Sequence, residues 1–233
     1  MNAAATGYYS EKLAAEKLRK VYDIASPRVR QYLDAEIEFV LEQIAPDDRV
    51  LELGCGYGRV LARLASGTNR LFGIDTSLAS LRLARRIASA GKFQLALMNA
   101  VQTAFRPACF DLTVCIQNGI SAFRVDQRSL IKEAVRITRP GGSVLFSSYA
   151  ADFWNHRLEW FRAQADCGLL GEIDEGATGD GVIVCKDGFR AETIGAERFR
   201  SLTADAGVAG TVITVDESSV FCIIAVPGKS EAI

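Results

Sequence analysis

The chain has 233 residues, of which 49% are hydrophobic and 24% are charged. This composition excludes a disordered or low-complexity chain, because it supplies enough apolar side chains to bury a core. The balance of 27 Lys and Arg against 28 Asp and Glu argues against a dedicated nucleic-acid binder and against a polybasic membrane anchor.

Two helices are predicted at the start of the chain. The first spans residues 10–22, and the second opens at Ser26 and Pro27. Serine suits the helix N-cap, and proline suits the first helical position because its missing N–H has no partner there. Apolar residues then recur at helical spacing as far as Pro46.

From residue 47 onward, short apolar runs alternate with helical patterns. The predicted strands span residues 50–53, 71–74, 93–98, 112–116 and 143–148. The predicted helices between them span residues 58–65, 78–88 and 127–138. This alternation predicts a doubly wound parallel sheet with helices on both faces, and a ligand at the carboxyl ends of the strands.

The end of the chain has a different pattern. A predicted helix, 199–206, precedes strands 211–215 and 220–226, and a four-residue polar turn joins the two strands. Such a turn predicts a hairpin, so the last strand should run antiparallel to its neighbour. Between the fifth strand and this helix lies an insertion, for which we predict a helix at 152–165 and a hairpin of 181–185 with 189–193.

We therefore expect one domain, 1–233, with an α/β, Rossmann-like, mostly parallel seven-stranded sheet. Its predicted parts are an N-terminal helical cap (1–46), a cofactor-binding core (47–150), a lid insertion (151–195) and a closing helix and hairpin (196–233).

Three glycines, Gly54, Gly56 and Gly58, follow the first strand directly and open a helix. Glycine allows a tight turn there and lets a ligand approach the backbone. The third glycine comes two residues after the second, which differs from the dinucleotide fingerprint, and no Walker lysine follows. Asp75 ends the second strand, where a carboxylate can accept two hydrogen bonds from ribose hydroxyls.

Together, LELGCGYG, GID, FDLTVCIQNGI, RPGG and the closing hairpin resemble the class I methyltransferases that use S-adenosylmethionine. The resemblance covers about residues 30–150 and the final hairpin. It implies S-adenosylmethionine as cofactor and S-adenosylhomocysteine as product. It also implies cofactor contacts from Glu52, Leu53, Gly54, Cys55, Gly56, Gly58, Asp75, Thr76, Asn99, Ala100, Val101, Gln117, Asn118 and Gly119.

Carried over by position, Glu52 and the glycine loop flank the methionine part of the cofactor, and Asp75 holds the ribose. Asn99, where many relatives have aspartate, faces the adenine amine together with the Ala100 and Val101 backbone. The segment 117–119 forms the wall beside the reacting methyl. The residues alone leave alternatives open: Asn99 could start a turn, and 117–119 could be a turn without ligand contact. Cys55 is interpreted as a small filler rather than a nucleophile.

The acceptor is expected to be a small molecule. Enzymes that methylate the exocyclic amines of bases, or glutamine, carry Asn/Asp-Pro-Pro-Tyr after the fourth strand, whereas this chain has Gln-Asn-Gly-Ile. We expect acceptor specificity in the N-terminal segment and in the lid, whose helix carries Phe153, Trp154, Trp160 and Phe161. Of these, Trp160 and Phe161 are interpreted as packing the lid onto the core. Tyr8 and Tyr9 are hypothesised to close over the cofactor. His156 and Tyr9 are the candidate catalytic residues, with His156 as general base in the acceptor pocket.

Two other readings of the chain remain open. One is an NAD(P)-dependent oxidoreductase, which the glycine spacing and terminal hairpin disfavour; the other is a non-catalytic regulator or assembly subunit that binds S-adenosylmethionine. The six cysteines lack Cys-x-x-Cys spacing and only one histidine is present, so no metal site is expected. Without a signal-like or membrane-spanning segment, we expect a cytoplasmic monomer or homodimer that has no nucleic-acid or membrane partner.

Overall fold

The computed structural model describes Tyr8, residues 12–87 and residues 93–228. Two helices lie between residue 12 and the sheet, α1 (Glu16–Asp23) and α2 (Pro27–Leu41). Helix α2 begins as predicted, since the Ser26 hydroxyl accepts the Val29 amide at 3.3 Å. Helix α1 starts later than predicted because Ala15 has a φ of 52°, which breaks the helical path.

The remaining elements follow in the predicted order. They are β1 (Arg49–Leu53), α3 (Arg59–Leu64), β2 (Arg70–Asp75), α4 (Leu78–Ile87), β3 (Phe93–Leu97), β4 (Phe110–Cys115), α5 (Gly119–Ala122), α6 (Gln127–Ile137), β5 (Thr138–Tyr149), α7 (Trp154–Asp166), β6 (Val182–Val184), β7 (Arg190–Glu192), α8 (Ala196–Ala206), β8 (Thr211–Val215) and β9 (Ser219–Ala225). Within the described chain, seven strands form one sheet in the order β3-β2-β1-β4-β5-β9-β8.

Strands β1 to β5 are parallel, and β9 is inserted antiparallel between β5 and β8. The predicted seven-stranded sheet with an antiparallel last strand is therefore confirmed. Strand β5 begins five residues earlier than predicted, because its first residues already pair with β4 and with Val226. Thr138 pairs with Phe110, and Gly141 and Gly142 exchange backbone hydrogen bonds with Val226.

The lid insertion and the N-terminal helices share a hydrophobic core of their own. Leu13, Val29 and Tyr32 pack there with Trp160 from α7 and Phe189 from the β6–β7 hairpin. Parts of the chain more than 100 residues apart are thereby held together above the carboxyl ends of the strands. None of the described helices is long and apolar enough to cross a membrane.

The lid hairpin is attached to α7 through Arg157, which is fully buried. Its guanidinium donates to the carbonyls of Gly181 at 2.8 Å and Ala191 at 3.0 Å, and to the Thr193 hydroxyl at 2.6 Å. The guanidinium also lies 4.4 Å from the centre of the Tyr149 ring at the end of β5. One cation thus joins three segments of the lid to the sheet.

Candidate functional site

A cavity of about 400 Å³ lies at the carboxyl ends of β1, β2 and β4. Most of the predicted cofactor residues line it: Glu52, Gly54, Cys55, Gly56, Asp75, Thr76, Asn99, Ala100, Gln117 and Gly119. Helix α1 and helix α7 complete the wall with Leu18, Tyr22 and Trp160. The cavity lies where a doubly wound sheet is expected to bind its ligand.

The glycine loop forms the floor of this cavity. Gly54 and Gly56 have φ values of +75° and +52°, a region that side chains with a Cβ rarely occupy. A Cβ on Gly54 would also lie 2.2 Å from the Phe123 ring. Gly58 differs from the other two: it caps α3 and packs against Phe93 and Ala84, outside the cavity lining.

Asp75 connects the glycine loop to the start of α4. One of its carboxylate oxygens accepts the Gly56 amide at 2.8 Å, and the other accepts the Ser77 amide at 2.7 Å. Burial raises the pKa of Asp75 above its usual value, and these amide hydrogen bonds oppose the shift. Each carboxylate oxygen keeps a lone pair for a further donor in the cavity, such as a hydroxyl group.

Asn99 both lines the cavity and makes a turn. Its side-chain oxygen accepts the Val101 amide at 3.1 Å, and its backbone bridges to Gln102. The turn presents Met98 and Ala100 to the cavity beside it, whereas Val101 is not part of the lining.

Gln117 and Asn118 both have left-handed backbone conformations, with φ values of 57° and 63°. Two such non-glycine residues in succession are strained by about 1–3 kcal/mol each and need support from their surroundings. Glu36 of α2 supplies part of it, because its carboxylate accepts the Gln117 amide at 2.7 Å. The Gln117 side chain accepts a hydrogen bond from Arg59 and donates one to the Leu33 carbonyl.

The side chain of Asn118 does not line the cavity. Its oxygen accepts the Ser148 hydroxyl at 2.7 Å, and its amide donates to the Glu192 carbonyl at 3.0 Å. Both halves of the side chain are thereby engaged in joining β4, β5 and β7. The expectation that Asn118 forms the wall beside the methyl group therefore needs correction: it holds the lid hairpin in place.

Glu52 and Arg59 form a charged end of the cavity. One carboxylate oxygen of Glu52 is buried without a hydrogen-bond partner, and burial raises the pKa of this group to about 8. Arg59 opposes that rise, and the negative charge of Asp75 adds to it. The Arg59 guanidinium lies 4.3 Å from the centre of the Tyr22 ring, and its Nε atom is buried without a partner. We missed Arg59 in the sequence, although it follows Gly58 directly.

Next to this charged end is a second part of the cavity, which we call the aromatic chamber. It is formed by Tyr32, Tyr149, Trp160, Phe161 and Gln164. The Tyr22 ring, which covers Arg59, lies 6.2 Å from the Trp160 ring and separates the two parts. Trp160 is fixed by a hydrogen bond from its indole nitrogen to the Val21 carbonyl at 3.0 Å.

The match to known proteins covers the same part of the chain as the cavity floor. The family model of the methyltransferase domain matches residues 50–142. A ubiquinone biosynthesis O-methyltransferase of Idiomarina loihiensis is 28% identical over 103 residues, which are 43% of this chain and 42% of the relative. A malonyl-[acyl-carrier protein] O-methyltransferase of Erwinia billingiae is 33% identical over 104 residues, which are 45% of this chain and 40% of the relative.

The chain therefore contains a segment, residues 50–142, that is similar to a methyltransferase domain. Its matched segment spans about two fifths of the length of these curated relatives. The fold agrees with that of a structure of S-adenosylmethionine-dependent methyltransferases from Methanosarcina mazei. That structure superimposes with a TM-score of 0.61 at 21% identity, over 82% of this chain and 98% of the other.

The segment that covers the cavity differs from the prediction. Tyr8 lies at the lid hairpin, where its hydroxyl donates to Asp187 at 2.7 Å and its ring packs edge-on against Phe189. It does not line the cavity, because Leu13, Leu18 and Tyr22 occupy that place. Tyr9 lies outside the described residues.

Two further predictions need correction. His156 is exposed on α7, where its ring lies 5.6 Å from that of Phe153 and outside the cavity lining. The buried face of α7 carries Arg157, Trp160, Phe161 and Gln164, so His156 points away from the site. Leu53 is buried in the core of the sheet instead of facing the cavity.

We expect the ligand-free protein to lose stability as the pH rises from about 5 to 8. Burial raises the pKa of Glu36 to about 7 and that of Glu52 to about 8, above the ordinary value of 4.5. Between pH 5 and pH 8 the folded state binds more protons than the unfolded state, so raising the pH favours unfolding. The free energy of unfolding should fall by at least about 2 kcal/mol.

Urea unfolding at unit steps of pH measures this slope. The double variant Glu36→Gln with Glu52→Gln should flatten it, since both titrating carboxyls are then absent. An equally steep slope in the double variant would assign the pH dependence to other groups.

Proposed function

We propose that this protein transfers a methyl group from S-adenosylmethionine to a small-molecule acceptor. The observation that carries this proposal is that Glu52, Arg59 and Asp75 line the same cavity. The buried Glu52 oxygen and the buried Arg59 Nε have no partners within the described chain, so each is free to bind a ligand group. Buried polar groups without partners are costly in a folded protein unless a ligand satisfies them.

The cavity residues fit this cofactor. Glu52 would accept from the ammonium group of its methionine part, and Arg59 would face the carboxylate. Asp75 would accept from the ribose hydroxyls, beside the loop that Gly54 and Gly56 keep open for close approach. The turn at Asn99 would adjoin the adenine.

When bound, S-adenosylmethionine supplies a methyl group on a positively charged sulfur. The acceptor atom bonds to the methyl carbon, the carbon–sulfur electron pair stays on sulfur, and the acceptor releases its proton. The chain's own residues would align the two molecules and exclude water, which can contribute roughly 7–11 kcal/mol to lowering the barrier. Aromatic faces of Tyr22 and Trp160 would suit the neighbourhood of a positively charged group.

The proposal of a small acceptor has support in the names of the curated relatives, both O-methyltransferases. The lid also gives the cavity buried aromatic walls, Tyr149, Trp160 and Phe161, which suit a small acceptor.

Calorimetric titration with S-adenosylhomocysteine tests the cofactor. We expect micromolar binding to the wild-type protein, and binding at least about tenfold weaker in Asp75→Asn, which removes the charge without removing the volume. NAD serves as the control ligand and should not bind. Binding of NAD, with no binding of S-adenosylhomocysteine to folded protein, would refute the proposal in favour of an oxidoreductase.

A further inference from the structure

The aromatic chamber adjoins the charged end of the cavity, where the proposed cofactor would place its methionine part. Tyr22 lies between the two parts, because its ring is 4.3 Å from the Arg59 guanidinium and 6.2 Å from the Trp160 ring. A second ligand in the chamber would therefore lie next to the sulfur-bearing half of the cofactor. This makes the chamber the place for the acceptor, and its chemistry indicates the acceptor's class.

The walls of the aromatic chamber are formed by buried aromatic side chains. Tyr32, Tyr149, Trp160 and Phe161 are all less than 7% exposed. The Tyr32 and Tyr149 rings lie 5.2 Å apart, and those of Trp160 and Phe161 lie 6.0 Å apart in an edge-to-face arrangement. Such surfaces favour a flat, conjugated ligand, because offset and edge-on ring contacts add to the gain from burial.

No described residue of the chamber carries a charge. The charged side chains of the cavity lining are Glu52, Arg59 and Asp75, and all three lie in the cofactor part. Arg157 is not part of the cavity lining. Its guanidinium lies 4.4 Å from the centre of the Tyr149 ring and donates to the lid carbonyls. An ionised group in the chamber would be buried without a counter-ion, which costs several kcal/mol.

Two polar groups of the chamber are buried without a hydrogen-bond partner within the described chain, the Tyr32 hydroxyl and the Nε2 atom of Gln164, which is 2% exposed. A hydroxyl can either donate or accept, so the Gln164 amide places the stricter requirement on a ligand. An amide nitrogen is a donor, so it requires an oxygen or another acceptor atom on the ligand. Leaving this donor unsatisfied would cost about 1–3 kcal/mol, so it selects among otherwise similar apolar ligands.

We propose that the methyl acceptor is an uncharged, planar aromatic molecule that directs a carbonyl or hydroxyl oxygen at the Gln164 amide. This inference rests on the proposed function, since it assigns the acceptor part of the same cavity. It excludes carboxylates, phosphates and amines that are ionised at neutral pH from direct contact with the chamber.

The test uses protein saturated with S-adenosylhomocysteine and two matched compound sets. The one-ring set is 4-hydroxyacetophenone, 4-hydroxybenzoate and tyramine. The two-ring set is 6-hydroxy-2-acetonaphthone and 6-hydroxy-2-naphthoate. Calorimetry gives the dissociation constants, and Trp160 emission reports the place of binding in a Trp154→Phe protein, which retains a single tryptophan. We expect the ketones to bind and to quench Trp160, and the charged analogues to bind at least tenfold more weakly.

Gln164→Leu isolates the contribution of the amide. It should weaken ketone binding about tenfold and leave the affinity for S-adenosylhomocysteine unchanged. Asn155→Leu is the matched control. It also replaces a side-chain amide with leucine on α7, but Asn155 is exposed, so the change should alter neither affinity. Charged analogues that bind as tightly as the ketones, ketones that do not bind, or an unaltered Gln164→Leu would each overturn the inference. Failure of the wild type to bind S-adenosylhomocysteine would instead refute the proposed function.

Discussion

Glu52→Gln should stabilise the ligand-free protein and abolish most of its cofactor affinity. With a pKa of about 8, the buried Glu52 carboxyl is about half ionised at pH 8 and has one oxygen unpartnered, whereas the amide carries no charge to desolvate. We expect the free energy of unfolding to rise by about 2 kcal/mol at pH 8 and to change little at pH 5. The same exchange would remove the proposed charge-assisted bond to the cofactor ammonium, so it should weaken S-adenosylhomocysteine binding about 10- to 100-fold.

Glu36→Gln provides the matched control for this prediction. Glu36 is also buried, but it does not line the cavity, and its carboxylate accepts from the Ser147 and Ser219 hydroxyls at 2.7 and 2.6 Å. An amide can satisfy the same hydroxyls, so cofactor affinity should stay within about threefold. Urea unfolding and calorimetry on both variants measure the two effects. Equal losses of affinity in both variants would contradict a direct role for Glu52.

Arg157→Ala should be the most destabilising single substitution in the lid. The change removes a fully buried guanidinium and its hydrogen bonds to the Gly181 and Ala191 carbonyls and to the Thr193 hydroxyl. It also leaves a void beside the Tyr149 ring. The lost hydrogen bonds of a buried cation and the cavity together should cost about 3–5 kcal/mol. Hydrogen exchange should then show the β6–β7 hairpin opening before the sheet.

Arg162→Ala is the control on the same helix. Arg162 is exposed and pairs with Glu175 at 2.8 Å on the surface, an interaction worth less than about 1 kcal/mol. Chemical denaturation of both variants, followed by far-UV circular dichroism, gives the two free energies. Similar small losses in the two proteins would show that Arg157 does not anchor the lid.

The sheet could be predicted from the sequence because it depends on local patterns. Short apolar runs gave β1, β2 and β4 within two residues, and the polar turn before residue 220 gave the antiparallel hairpin. The glycine loop and Asp75 were found for the same reason, since a tight turn at a strand end requires particular residue types. Strand β5 was underestimated, because its pairing with Val226 is set by a distant segment.

The upper half of the cavity could not be predicted in this way. Gln164 and Trp160 face the cavity only because α7 packs on Val21 and Tyr22 of α1, a contact between distant parts of the chain. For the same reason, His156 was assigned to the pocket by its position after β5, although the packing of α7 turns it outward. Helical spacing identifies the faces of a helix, and tertiary packing decides which face meets the ligand.

The cavity is assembled from α1, the glycine loop and α7, so it exists only when the N-terminal helices and the lid are docked on the sheet. A ligand that binds there selects the folded chain and does not bind the unfolded one. At a free concentration of 100 times its dissociation constant, such a ligand adds about 2.7 kcal/mol to stability. Ligand at that concentration would thus lower the unfolded fraction about 100-fold, so it should also stabilise a variant that is weakened elsewhere in the fold.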